Sequence, residues 1–594
     1  MCMNYTLSST GDGKKTFRTV SESVRGFAPF LRPDVSRLAL AAGIVIVNSA
    51  AGVLTPFVVA YAIDHALLSP RIDELARIIG ILSILYCVTV VTGFLQPRLM
   101  GRVAQHTLYR LRAALFDKLQ RLPIAFFNAN RAGDLISRIN NDADKLSQFL
   151  SETIVRLVGM LFVIVGIGVF IFFLNVKLAT VMISMTLILF VITRLISPWI
   201  QKNNRANLTQ GGGLSSYVQE SLSNFKVIVA FNRRDYFREK FGEANGAQFK
   251  AAFWSDLSSE IFRPLYDFAN NSTQLLVLLA GLTLVARGEL TVGLLIGFFG
   301  YAQRFYDPLR ILGSLWAQVQ TSIAAWTRIQ QILLLESNLL ITAPQEYGSK
   351  REERENEILE FVDVNFGYGD SPVLENISFR LEKGKTYALV GPTGGGKSTT
   401  ASLMVRLYDP WKGTVEFDKR DIRSYTPSEL SDRIGFILQE PFLFTGSVAD
   451  NIRYGNPLLD VLDNAGLIAL LEHEGLTVLL KRFDEGLETI VQEGSENLSL
   501  GQKQLIAFIR IVLRRPQLLI LDEATANIDT VTEQTLEELL CKLPKETTKV
   551  IIAHRLNTIK DADEIMFISG GRIQKAENFH EALTLIAKKQ SIHS

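Results

Sequence analysis

Apolar and polar positions divide the chain near residue 337 into two unlike halves. From residue 38 to about 315, six apolar stretches recur, near 38–64, 74–97, 154–174, 178–197, 263–286 and 290–316. Each is about the 20 residues that a helix needs to cross a hydrocarbon layer. The run "LVGMLFVIVGIGVFIFFL", Leu157 to Leu174, holds no charge, whereas a helix in a water-soluble core usually keeps a polar face. The segments from Arg98 to Lys145 and from Lys202 to Lys250 read as helical throughout, so the membrane helices are expected to run on into the cytoplasm. A polar linker, "SNLLITAPQEYGSKREERENE", follows at 337–357, and beyond it short apolar strands alternate with helices, the pattern of an α/β domain. The chain is therefore expected to be multi-domain: a tail and elbow helix at 1–37, an all-α six-helix transmembrane domain with long cytoplasmic helical extensions at 38–336, the linker, and an α/β domain at 358–594.

Charge adds orientation. The tail (Lys14, Lys15, Arg18, Arg25, Arg32) and the two long segments are rich in Lys and Arg, while the connections around Arg71, Lys177 and Arg287 are very short. By the positive-inside rule the basic segments and both termini are expected in the cytoplasm, in a multi-pass protein of the plasma (inner) membrane. Lys and Arg exceed Asp and Glu by only +2 over 594 residues, which gives no reason to expect a nucleic-acid partner. Three scattered cysteines, Cys2, Cys87 and Cys541, make neither a disulfide framework nor a metal spacing.

The second half carries phosphate chemistry. "GPTGGGKST" (Gly391, Pro392, Thr393, Gly394, Gly395, Gly396, Lys397, Ser398, Thr399) lies between the strand-like "TYALV" and the helix-like "TASLMVRLY". That is the setting of a P-loop, in which backbone N–H groups cradle phosphate, Lys397 reaches the β and γ phosphates and Ser398 ligates Mg2+. "LLILDE" is an apolar strand ending in two acids. A strand-end acid pair is usually just solvated, but beside a P-loop Asp522 is placed to hold Mg2+ and Glu523 to act as general base. Gln439 and His554 also follow apolar strands and suit contacts around the γ-phosphate, with Gln439 reaching it through Mg2+ and the attacking water. Tyr368 suits stacking on adenine. Ser499 and Gln502 in "NLSLGQKQ" fit a capping box, which predicts a helix from there to the stop at Arg514, Arg515 and Pro516.

Tyr368, "GPTGGGKS", Gln439, "LSLGQ", "LLILDE" and "IIAHR" stand in one order, and that order resembles the nucleotide-binding domain of the ATP-binding cassette (ABC) family. The first half resembles the transmembrane domain of its type IV exporters, with "FFNANRAGDLISRINND" (126–142) and "SNFKVIVAF" (223–231) like the two intracellular loops. The resemblance implies ATP and Mg2+ as cofactors, with an ATP-driven cycle that moves a small amphipathic drug, lipid or peptide outward across the bilayer. It also implies that Ser499, Gly501 and Gln502 contact ATP on a second half-transporter, that Asp529 forms the D-loop, and that residues near 125–130 and 222–228 dock on the ATPase domains. Leu500 stands where the signature calls for glycine, and "ANID" replaces the commoner "SALD". Both departures resemble the catalytically intact subunit of heterodimeric exporters, so a heterodimer is favoured over a homodimer. An importer, an ATP-gated channel and a membrane-tethered ATPase are the competing readings. In the fifth and sixth apolar stretches Asn270, Asn271 and Gln274 are candidates to line a substrate cavity, and Arg304 and Asp307, spaced i, i+3, are candidates to pair with each other.

Overall fold

The computed structural model describes residues 5, 7, 20–68, 72–336, 356–369, 371–522, 530–552, 562–576 and 581, which fall into two compact units. One is helical. After an elbow helix, Val20–Leu31, the spans are Val35–Leu68, Ile72–Gln120, Ile154–Leu174, Val176–Ser223, Phe262–Ala286 and Val292–Leu333. The expected six are present, and the second and fourth run far beyond membrane length. With 49 and 48 residues they extend about 70 Å at 1.5 Å per residue. Among the described residues five helices are long and apolar enough to cross a membrane. The sixth span falls short because Gln303, Arg304 and Asp307 interrupt its apolar run.

Val53, Ile167, Met182, Val277 and Phe298, from the first and the third to sixth spans, share one apolar core. Helices approach closely where side chains are small. A Cβ at Gly293 would lie 2.1 Å from the Ala60 carbonyl oxygen, so the sixth span starts in direct backbone contact with the first. Asp64 secures that start, accepting from the Gly293 N–H at 2.7 Å and the Thr291 hydroxyl at 2.6 Å. The stretch expected to be helical between the second and third spans is helical, but Arg138–Asp142 and Phe149–Thr153 are π-turns. At the first of these, buried Asp142 accepts from Arg328 Nε at 2.6 Å and pairs with Arg328 Nη2 and Lys145, while Arg138 Nη1 donates to Gln331 Oε1 at 2.9 Å. The extra residue of a π-turn lets these polar side chains face the sixth span together.

The other unit contains the predicted α/β domain. An antiparallel sheet carries β1 (Glu357–Tyr368), β2 (Ser371–Glu382), β4 (Lys412–Phe417) and β5 (Arg420–Asp421) in the order β2-β1-β4-β5. The main sheet holds β3 (Thr386–Val390), β6 (Ile434–Ile437), β9 (Leu518–Asp522), β10 (Thr548–Ile552), β11 (Glu564–Ser569) and β12 (Arg572–Ala576), in the order β12-β11-β3-β10-β9-β6. β7 (Gly446–Ser447) pairs with β8 (Ile490–Val491). Leu518, Leu519 and Ile520 are all fully buried, as expected of a parallel strand covered on both faces.

Two pieces outside the expected 358–594 domain also belong to this unit. Residues 121–131, expected within the transmembrane domain, pack with the ATPase sheets, and so do Tyr5 and Leu7 from the expected tail. The two pieces are joined to each other at Asn130, whose side chain mimics a peptide. Nδ2 donates to the Tyr5 carbonyl at 2.9 Å and the Phe126 carbonyl at 2.7 Å, and Oδ1 accepts from the Leu7 N–H at 3.0 Å.

Within the helical unit, Asp142→Ala leaves Arg328 without its carboxylate at a buried site, a loss of about 3 kcal/mol. A thermal unfolding scan of the detergent-solubilised variant should show a clearly lowered midpoint, with Asp142→Asn falling between the variant and the parent.

Candidate nucleotide site

The site is built where β3 ends. Gly391, Gly394 and Gly396 have φ of 150°, 76° and 109°, values that side chains resist. The first bend brings the loop against β11, so a Cβ on Gly391 would fall 1.9 Å from the Ile568 carbonyl oxygen. The turn opens into the helix Lys397–Met404, whose first backbone N–H groups lack intrahelical acceptors and form an anion cradle.

Lys397 is only 5% exposed and arches back over this loop, donating to the carbonyls of Gly391 at 2.9 Å and Pro392 at 3.1 Å. Those contacts hold the ammonium at the mouth of the anion cradle. Ser398 Oγ donates to Asp522 Oδ1 at 3.3 Å, which brings together two side chains expected to share one metal. Two hard oxygen donors side by side at the mouth of an anion cradle fit Mg2+, which takes oxygen ligands. β9 delivers Asp522 because it lies two strands from β3, across β10.

Gln439 is exposed and follows β6, two residues past its last member. Glu523, Asp529 and His554 lie outside the described residues. Tyr368, 46% exposed, closes β1, and its hydroxyl donates to Thr399 Oγ1 at 3.3 Å. The ring it presents suits stacking, and the hydrogen bond ties that ring to the P-loop helix.

The sequence did not single out what stands behind it. The Tyr408 ring meets Tyr368 edge-on at 5.4 Å, and the Tyr408 hydroxyl accepts from Asn128 Nδ2 at 2.6 Å. Burial pushes the Tyr408 phenol up, so it stays protonated. Asn128 belongs to the short helix Ile124–Ala129. A continuous line therefore runs from Asn128 through Tyr408 and Tyr368 to Thr399, beside a cavity of 290 Å³. An aromatic just after the P-loop helix, in "RLYDP", was the available cue.

The signature segment forms the expected helix, Leu500–Val512, and the expected capping box is complete. Ser499 Oγ accepts from Gln502 N at 3.2 Å, and Gln502 Oε1 accepts from Ser499 N at 2.8 Å. Gln502 Nε2 also donates to the Arg482 carbonyl at 2.7 Å, which fixes the approach of the preceding chain. Leu505, Phe508, Ile509 and Val512 are buried at helical spacing, each stabilising the fold by about 2 kcal/mol. The helix N-terminus is thereby anchored, and Ser499 remains exposed. Arg515 follows with φ 49° before Pro516, the stop the sequence predicted.

Family models agree with this division. Residues 38–309 match the ABC transporter transmembrane region and residues 374–526 match the ABC transporter model. An uncharacterized ABC transporter ATP-binding protein of Bacillus subtilis is 33% identical over 555 residues, covering 89% of this chain and 87% of that one. A fatty acid ABC transporter ATP-binding/permease protein of Mycobacterium tuberculosis is 33% identical over 512 residues, covering 85% and 79%. An ATP-dependent lipid A-core flippase of Photobacterium profundum is 29% identical over 484 residues, covering 81% of each chain.

Because a Cβ at Gly391 would strike the Ile568 carbonyl, Gly391→Ala should weaken binding of a fluorescent ATP analogue at least tenfold. Circular dichroism should meanwhile show an α/β domain that is still folded.

Proposed function

From a chain that belongs to the ABC transporter family, an exporter-type half-transporter with an ATPase domain, we propose a subunit that joins a second half-transporter and exports a small amphipathic substrate. The observation that carries the reading is the pairing of Ser398 with Asp522 at the mouth of the glycine cradle, in a chain that also holds six spans. Relatives named for fatty acid and for lipid A-core favour a lipid-like amphiphile over a polar solute.

In this reading Lys397 and the N–H groups from Gly394 to Thr399 hold the ATP phosphates, and Ser398, Asp522 and Gln439 hold Mg2+, which neutralises charge on the transferring phosphoryl group. Glu523 accepts a proton from the attacking water, and His554 contacts the γ-phosphate. The partner's ATP is contacted by Ser499, Gly501 and Gln502, with Asp529 at the shared edge. The basic excursions favour a cytoplasmic ATPase domain and cytoplasmic termini in a protein of the plasma (inner) membrane. Asn128, through Tyr408, passes a change at the nucleotide to the helix that follows the second span.

The second cytoplasmic tip supports a two-chain assembly. Leu222, Phe225, Val227 and Phe231 at the helix Phe225–Ala230 are exposed, an apolar cluster that suits cover by the ATPase domain of the other chain. Leu500 and "ANID" favour an unlike companion. Leucine keeps its backbone N–H but adds bulk where the helix end would approach the companion's phosphate, so the slow site is the one on the companion's P-loop.

Glu523→Gln should retain ATP binding and lose more than nine-tenths of ATPase turnover; activity above a tenth of wild type removes the general-base assignment. Tyr408→Phe deletes the acceptor for Asn128 and should cut substrate-stimulated ATPase several-fold, with basal turnover nearly unchanged. Mass and ATPase measured on the chain purified alone decide the assembly: weak turnover is expected, and a robust stimulated homodimer rejects the unlike companion.

A further inference from the structure

Among the described residues, the sixth span carries a cation that no carboxylate of the helical unit neutralises. Arg304 lies 12 residues from the start of the span at Val292, about 18 Å along the axis at 1.5 Å per residue. That is near the middle of a hydrocarbon layer about 30 Å thick. The sequence suggested a pair with Asp307, but Asp307 faces Arg310 at 3.9 Å instead. Among the described residues Arg304 has no carboxylate partner.

It is nevertheless positioned. Pro56, inside the first span, has no N–H to give the Gly52 carbonyl one turn earlier. Arg304 Nη1 takes that place, donating to Gly52 O at 3.1 Å. Gly52 makes room for it, since a Cβ there would lie 3.3 Å from Nη1. One N–H of the guanidinium is used, and its charge and remaining donors stay exposed.

The surrounding stripe is polar. Gln303, Arg304, Asp307, Arg310 and Ser314 are all exposed on the sixth span, whereas the second span exposes Ile79, Ile84, Val90 and Phe94. The second span shows the face lipid tails require. The stripe on the sixth, with two cations to one anion, shows a face that lipid tails reject.

We infer that Arg304 is the headgroup contact of the transport pathway, taking the oxyanion, carboxylate or phosphate, of an acidic amphiphile. This rests on the exporter reading above. The Gly52 carbonyl orients one edge of the guanidinium, and the free edge presents parallel N–H groups that match a carboxylate or phosphate. The acyl chain of the ligand then lies along the apolar faces of the same spans.

The test uses the transporter in its purified assembly, in nanodiscs of phosphatidylcholine. Binding and ATPase stimulation are measured with oleate, with lysophosphatidic acid and with uncharged oleyl alcohol. Arg304→Gln should weaken the two acids at least tenfold, leave the alcohol and basal ATPase unchanged, and be largely rescued by Arg304→Lys. Loss confined to oleate identifies a carboxylate ligand, and loss confined to lysophosphatidic acid a phosphate one. The double variant Pro56→Ala, Arg304→Gln returns a backbone donor to the Gly52 carbonyl. If it regains acid binding, Arg304 serves only to satisfy the helix and the proposal is overturned. Equal response of wild type and Arg304→Gln to all three probes overturns it too and leaves the exporter reading standing. A wild type that binds none of the probes overturns it, and one that also shows no ATPase activity in its purified assembly overturns the exporter reading as well.

Discussion

The side chain of Asn130 ties together the two outlying pieces of chain that cluster with the ATPase domain. One amide accepts from Leu7 and donates to Tyr5 and Phe126, so two stretches of chain more than a hundred positions apart behave as one surface. An excursion of eleven residues, Arg121–Arg131, is too short to bury a core of its own. It is ordered by what it borrows, and fully buried Phe126 supplies the apolar part of that debt. The second and third spans are continuous in chain with this excursion, so displacement at the nucleotide has a covalent path toward the membrane.

A second constraint shapes the ATPase sheet. The P-loop bends because glycine at 391 lets it pass against the Ile568 carbonyl, and β11 is in place to be passed because Met566 and Phe567 pair in parallel register with Leu389 and Val390. The anion cradle is thus a product of sheet packing as much as of the loop's own sequence. Lys397, buried at the same bend, is held over the loop by the Gly391 and Pro392 carbonyls.

Much of this was legible in the residues. The uncharged run at 157–174 fixed the third span, and Gly391 to Thr399 between a strand and a helix fixed the nucleotide site. Ser499 with Gln502 fixed a helix start to the residue. These are local signals, in which the physics acts over a few neighbouring positions. What was not legible depends on distant pairs. Asn128 and Tyr408 are 280 positions apart, and neither departs from its surroundings in composition. Arg304 was noticed, but its partner was assigned by helical spacing. The real partner is a carbonyl set free by a proline on another span, and spacing along one helix carries no information about that. The first π-turn likewise answers to Arg328, which lies 186 positions beyond Asp142.

The cap at Ser499 has a consequence for how a helix end can touch a phosphate. A hydroxyl offers one proton and two acceptor positions, and the cap uses an acceptor position, toward Gln502 N. The proton stays available for a second partner. The same atom can therefore terminate the helix and donate outward at once, which neither aspartate nor asparagine achieves. Aspartate would cap as well and bring a negative charge, and asparagine would cap through an oxygen that has no proton. Serine at this position reconciles two demands that helix stability alone would leave open to several residues.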